Sequence, residues 1–208
     1  MAALHFLPAP TLASLLALVS MPLLSSPVSE AQSAVMAGKY EQAVSVLRPA
    51  AARGDPRAQY VLGNMYRQGW GVTADASMAA LWYERSAVQG DVDAQVALGE
   101  MHYAGQGVPK DHKKALDWFR RASITGKSEA PTPQYILGSM LRTGEGVTRD
   151  PVSAYMWLNI ASINAVAEET RKRYREAMDG VGSSLSPSDL QLAHSRVRQC
   201  LASNYVRC

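Results

Sequence analysis

Three stretches of the chain say nearly the same thing: LGNMYRQGWG from Leu62 to Gly71, LGEMHYAGQG from Leu98 to Gly107, and LGSMLRTGEG from Leu137 to Gly146. A recurring unit must fold as one small module and bury its apolar face against its copies, so repetition restricts the chain to a stacked-repeat architecture before any single residue is weighed. Gly63 and Gly99 are 36 residues apart, and Gly99 and Gly138 are 39 apart. The extra three fall in Lys127–Thr132, a Ser/Glu/Ala/Pro/Thr connection of the kind that tolerates insertion. Asp75, Asp111 and Asp150 keep the same spacing, as do Trp82, Trp118 and Trp157, while Gly54, Gly90 and Gly126 mark the unit starts.

Each unit reads as helix, tight turn, helix. Asp55-Pro56 opens the first helix, aspartate as N-cap and proline at the first helical position, where its missing N–H costs nothing. Thr132-Pro133 gives the matching signal in the third unit. Ala58, Leu62 and Tyr66 recur every four residues and share one face. Gly63 lies beside that face; a helical glycine costs about 1 kcal/mol relative to alanine, so a partner helix is expected to approach its backbone closely. Gly69-Trp70-Gly71 supplies the positive φ of a C-cap and turn, and Asp75 then caps the second helix. Ala79, Trp82, Tyr83 and Ser86 form the expected inward stripe. The counterparts are Ala115, Trp118, Phe119 and Ala122, then Ala154, Trp157, Leu158 and Ala161. Trp70 and Gln106, each between the glycines of a turn, either meet a partner or fold back on the neighbouring turn.

These residues resemble the Sel-one-like repeat family, a relative of the tetratricopeptide repeats, whose pattern is carried here by Ala58, Leu62, Gly63, Tyr66, Gly69, Gly71, Val72, Asp75, Ala79, Trp82, Tyr83, Ala87 and Gly90. The likeness spans Gly38 to Ala161 and departs at the helix-end aromatic, which is His102 in unit two and Leu141 in unit three. It implies an all-α fold, a right-handed α-solenoid of helix-turn-helix repeats. The expected order is a degenerate first unit at 32–53, full units at 54–89, 90–126 and 133–164, and a helical C-terminal cap at 165–208. In the cap, Ala165–Met178 and a run from Ser186-Pro187 to Ala202 are the expected helices. The resemblance also implies a bacterial setting in envelope assembly, periplasmic signalling or host interaction.

Residues 1–31 read as a secretory signal peptide: Leu12–Leu24 is apolar and too short to span a bilayer comfortably, and Ser29-Glu30-Ala31 offers small residues for cleavage near Ala31. No Lys or Arg precedes Lys39, so an uncleaved membrane tether stays open as the rival. Cys200 and Cys208, an even pair in an exported chain, are expected to form a disulfide across a turn at Ser203-Asn204, and periplasmic or secreted localisation follows.

Catalytic patterns are missing. The sequence holds no H-E-x-x-H, no nucleophile elbow and no phosphate-binding glycine loop. The G-x-G pairs are helix–turn punctuation, each followed by a capping aspartate. His102 fills the slot of Tyr66 and is expected as a packed, hydrogen-bonded ring. His112 is expected exposed at a helix start, and His194 lacks metal ligands at suitable spacing. No metal and no cofactor are called for. A net charge of +3 does not make a nucleic-acid binder. Arg171, Lys172, Arg173 and Arg175 lie one turn from Glu168 and Glu169 and read as a solvated face.

What remains is surface. In stacked helix pairs the first helices line the concave side. Opposite the packing stripe they carry Tyr60, Asn64 and Arg67 in unit one, Val96, Glu100 and Tyr103 in unit two, and Tyr135, Ser139 and Arg142 in unit three. Packing positions repeat while these vary, and tyrosine and arginine tend to carry interface energy. The expected partner-binding set is therefore Tyr60, Asn64, Arg67, Glu100, Tyr103, Tyr135 and Arg142. The leading expectation is a non-catalytic protein-interaction scaffold or adaptor, with a regulator of cell-wall or polysaccharide enzymes that binds glycan as the alternative. Hydrolase activity ranks last, since it is implied only for cysteine-rich members and no cysteine lies within these repeats.

Overall fold

The computed structural model describes residues 26–124, 131–205 and 208. The Leu12–Leu24 segment, Gly126 and most of the Lys127–Thr132 connection lie outside these residues. Ten helices follow one another among them: α1 (Pro27–Met36), α2 (Tyr40–Ala52), α3 (Pro56–Gln68), α4 (Ala76–Ala87), α5 (Val92–Ala104), α6 (His112–Ile124), α7 (Pro131–Thr143), α8 (Pro151–Asn164), α9 (Glu168–Gly182) and α10 (Pro187–Ala202). Each odd-numbered helix from α1 to α7 pairs with its even-numbered successor, each pair stacks on the next, and α9 and α10 both pack against α8. The fold is an all-α helical-repeat solenoid.

The caps are those the sequence signals. Asp55, Asp91, Asp75 and Asp150 accept backbone N–H bonds from the first turns of α3, α5, α4 and α8, and Ser186 does so for α10. Gly69 and Gly105 end α3 and α5 in the left-handed conformation, φ 73° and 70°.

The two glycine kinds of each unit have separate packing roles. A Cβ on Gly63, Gly99 or Gly138 would stand 2.6 Å from Tyr83 Cε1, 2.7 Å from Phe119 Cε1 or 2.8 Å from Leu158 Cγ, so the helical glycine is the gap that admits the large side chain of its partner helix. The second glycine of each turn joins units. A Cβ on Gly71 would lie 2.5 Å from the Tyr40 carbonyl carbon, Gly107 abuts the backbone of Ala76, and Gly146 abuts His112. Each turn is thus seated on the start of the preceding unit's second helix. Trp70 follows it there, stacked on Tyr40 with ring centroids 5.5 Å apart, so it folds back on the neighbouring unit.

Several expectations need correction. Tyr83, Phe119 and Leu158 are buried, whereas Trp82 and Trp118 are only half-buried and lie under Arg85 and Arg121 at 4.6 and 4.8 Å. Of the three tryptophans that recur with the period only Trp157 is buried, because α10 covers α8. Helix α1 starts at Pro27 under a Ser26 cap, ahead of the expected first unit at 32–53, and buries Ala31 completely. Helix α7 starts at Pro131 rather than Pro133, in register with Pro56 and Pro131 three residues before Gln59 and Gln134. Helix α9 starts at Glu168 rather than Ala165. Residue 165 is extended (φ −70°, ψ 121°), and its carbonyl accepts from Arg171 Nη2 at 2.8 Å.

The buried glutamines carry a further link. Gln59 Nε2 donates to the Ala51 carbonyl and Gln95 Nε2 to the Ala87 carbonyl, both at 3.0 Å, tying each first helix to the end of the preceding second helix. Gln134 accepts from Asn164 Nδ2 at 2.9 Å, and that amide also donates to Tyr205 Oη at 2.8 Å, which fastens the tail to the third unit. Asn204 and Tyr205 turn the chain with φ of 49° and 67°, bringing the Cys200 and Cys208 sulfurs to bonding distance with their Cα atoms 4.8 Å apart.

Candidate partner-binding face

The seven residues expected to meet a partner all belong to α3, α5 and α7, and they line two adjoining clefts. Tyr60, Asn64, Arg67 and Glu100 border the first, about 250 Å³, between α3 and α5. Glu100, Tyr103, Tyr135 and Arg142 border the second, about 450 Å³, between α5 and α7. Glu100 is common to both, so the two clefts form one continuous surface.

The side chains are held by identifiable contacts. Tyr83 Oη donates to Asn64 Oδ1 at 2.7 Å, and burial pushes the Tyr83 hydroxyl well above the ordinary tyrosine range, which keeps it a donor. With its oxygen so engaged, Asn64 keeps its amide nitrogen as a donor. Arg67 stands 3.6 Å from Glu100, an exposed pair of small energetic weight that nonetheless sets where the two heads sit. Tyr60 packs on Tyr83 with centroids 5.8 Å apart, under the Arg57 guanidinium at 4.8 Å. Tyr103, 38% exposed, stacks on His112 at 4.9 Å and donates to Glu145 Oε2 at 2.7 Å, a bond that raises its pKa. Tyr135 lies face to face with Tyr174 of α9, centroids 4.3 Å apart, with Arg173 at 5.8 Å.

The α5–α7 cleft has an apolar floor of Phe119, Ile136 and Met140 beneath the polar rim of Glu100, Arg142 and Glu145. The Ser139 hydroxyl in its wall is buried with no hydrogen-bond partner. Such a cleft suits an inserted side chain flanked by polar or charged groups.

Some participants were not foreseen. Arg57 bridges to Asp93 at 2.5 Å and stands 3.7 Å from Asp91, crossing from one first helix to the next. Its signal was present, since Arg57 and Asp93 occupy the same slot one period apart. Glu145 occupies the turn slot of Trp70 and Gln106. The cap contributes Arg173, which no repeat-based reading could supply.

Two histidines differ from expectation. His102 Nδ1 is buried without a hydrogen-bond partner, and His112 is half-buried against Tyr103 rather than exposed. His194 Nε2 lies 2.9 Å from Tyr155 Oη. Arg171 pairs with Glu168 at 2.7 Å, in keeping with the solvated face expected of that stretch. Among the described residues no group of three or more His, Cys, Asp or Glu could hold a metal ion, and no helix is long and apolar enough to cross a membrane.

Stacked helix pairs with varied side chains on a shared face define an α-helical repeat protein of the tetratricopeptide-like class. The Sel1 repeat model matches residues 56–91, 92–124 and 134–164, so the chain carries three Sel1 repeats. Repeats of this kind generally mediate protein–protein interaction and serve as non-catalytic scaffolds. The chain is similar to a Sel1 repeat protein from Oxalobacter formigenes, with 27% identity over 74% of this chain and 58% of that one and a TM-score of 0.64. It is also similar to a protective antigen of uropathogenic Escherichia coli strains that displays an SLR fold, with 25% identity over 80% of this chain and 43% of that one and a TM-score of 0.55. The chain thus spans less than two thirds of either relative's length. No match was found among curated proteins.

Proposed function

We propose that the protein is a non-catalytic scaffold or adaptor of the bacterial cell envelope that binds a segment of a partner protein along its first-helix face. The observation that carries this is the joining of all seven expected residues into two clefts that share Glu100. Asn64 offers a fixed donor, Arg67 and Glu100 a charge pair, and the α5–α7 cleft an apolar socket between Tyr103 and Tyr135. Ion pairs from one first helix to the next, Arg57 to Asp93 and Arg67 to Glu100, support reading this face as the inner, concave one.

The proximity of Cys200 and Cys208 supports a disulfide and hence an oxidising compartment, in line with an apolar leader. Such a crosslink closes a small loop and would contribute about 2 kcal/mol. Processing after Ala31 would remove the first turn of α1 together with buried Ala31, so an intact α1 and that cleavage position are alternatives.

Retention of a protein from bacterial envelope extract by immobilised chain tests the reading, with Arg67→Ala/Arg142→Ala and Asn64→Ala/Arg67→Ala/Arg142→Ala as parallel baits. Asn64→Ala strands the Tyr83 hydroxyl at a cost of about 1–3 kcal/mol, so the double variant separates surface loss from destabilisation. The expected result is a protein held by the wild type and lost from both variants at unchanged helicity. Equal retention by all three baits moves the site off this face.

A further inference from the structure

Two clefts larger than either on the first-helix face lie between consecutive second helices. One, about 510 Å³, runs between α4 and α6, and the other, about 690 Å³, between α6 and α8. They are copies of each other one unit apart: Trp118 recurs as Trp157, Val108 as Val147, and His102 as Leu141. Their charges do not recur. In the α4–α6 cleft Glu84 and Asp117 offset Lys114 and Arg121. In the α6–α8 cleft the place of Glu84 is taken by Arg120, and Arg149 joins it from the turn before α8. Asp150, the acidic side chain lining that cleft, is committed as the N-cap of α8 and accepts the Ser153 N–H at 3.0 Å. Arg120 and Arg149 are both exposed, and among the described residues neither forms an ion pair. Beneath them the walls are apolar: Ile124 (42% exposed), Leu141, Val147 and Trp157.

We infer that the α6–α8 cleft is a second interaction site, taking an acidic segment of a partner protein that inserts an apolar side chain against Trp157 and Leu141 while its carboxylates meet Arg120 and Arg149. The assignment rests on charge complementarity over an apolar floor. Arginine presents a planar fork to carboxylates, and two such forks beside an apolar socket select for both properties together. The charge-balanced copy one unit earlier lacks that selectivity. The site is independent of the first-helix face and would let one molecule hold two segments at once, as a scaffold must.

Selection from a random dodecapeptide display library, on wild type and on Arg120→Glu/Arg149→Glu, tests the inference. Both substituted side chains are exposed, and circular dichroism checks that the fold persists. The wild type is expected to enrich peptides combining Asp or Glu with Leu, Ile, Phe or Trp. The best of these should bind the reversed variant weaker by about tenfold or more and bind Arg67→Ala/Arg142→Ala unchanged. Enrichment of peptides without acidic residues, equal binding to the reversed variant, or loss only in the first-helix variant would overturn the proposal. Self-association of the wild type that the reversal abolishes would also overturn it. That result would give the cleft to a second copy, whose Val166, 90% exposed, leads into Glu168 and Glu169.

Discussion

Gly71→Ala is expected to destabilise the protein by about 2–5 kcal/mol, whereas Gly90→Ala, also at a left-handed glycine, should cost only about 1–2 kcal/mol. Both residues have positive φ, 69° and 92°, so both carry the conformational penalty of a Cβ there. They differ in surroundings. Nothing lies within 4 Å of a Cβ on Gly90, while one on Gly71 would meet the Tyr40 carbonyl carbon and oxygen at 2.5 Å and the Glu41 nitrogen at 2.7 Å. Backbone cannot swing aside as a side chain does, so the methyl must separate unit from unit and unstack Trp70 from Tyr40. Urea unfolding followed by circular dichroism measures both variants. Equal losses would show that the turn glycine serves only its own φ and does not join the units.

The second large effect concerns the gap inside the unit. Alanine for a helical glycine ordinarily gains about 1 kcal/mol, but Gly99→Ala is expected to lose about 1–2 kcal/mol net. Its Cβ would stand 2.7–3.0 Å from three atoms of the Phe119 ring, which is 1% exposed and has no free volume to enter. Phe119→Ala alone should cost about 3–5 kcal/mol through the cavity it leaves. In the double variant the new methyl enters that cavity, so the combined loss should fall short of the sum by about 1 kcal/mol or more. Additive losses, or a Gly99→Ala variant more stable than wild type, would contradict the pairing of glycine with ring.

The same pairing explains what the sequence could and could not disclose. Period, caps and turns were legible because each depends on local chemistry: aspartate at an N-cap, glycine at positive φ, proline at a first helical turn. The choice between Trp82 and Tyr83 as the inward aromatic was not, since adjacent residues on a helix are both apolar and the winner is fixed by where Gly63 opens a gap across the interface. The roles of Gln59 and Gln95 were hidden for a related reason, because a glutamine beside a packing stripe looks like a surface residue until its carbonyl acceptor in the preceding unit is known.

The proposed binding face was legible as a set of positions and not as a surface. Positions 60, 64 and 67 and their counterparts vary while their neighbours repeat, and that contrast picks out Tyr60, Asn64, Arg67, Glu100, Tyr103, Tyr135 and Arg142. Depth came only with tertiary packing. The apolar floor of the α5–α7 cleft is made by Phe119 from α6 and by Ile136 and Met140 from α7, residues whose periodicity marks them as core. The α6–α8 cleft was invisible for the opposite reason, since it depends on Arg120 and Arg149, which lie on different elements and have no shared register.

The most direct measurement of the central claim is site-specific photocrosslinking in envelope extract, with benzoylphenylalanine at position 103, on the rim of the α5–α7 cleft, or at position 191, on the exposed side of α10. A discrete crosslinked protein from position 103, absent from position 191 and reduced by Arg67→Ala/Arg142→Ala, is the predicted result. Crosslinks of equal yield from both positions, or none from position 103 while an unmodified chain still retains the partner, would contradict it.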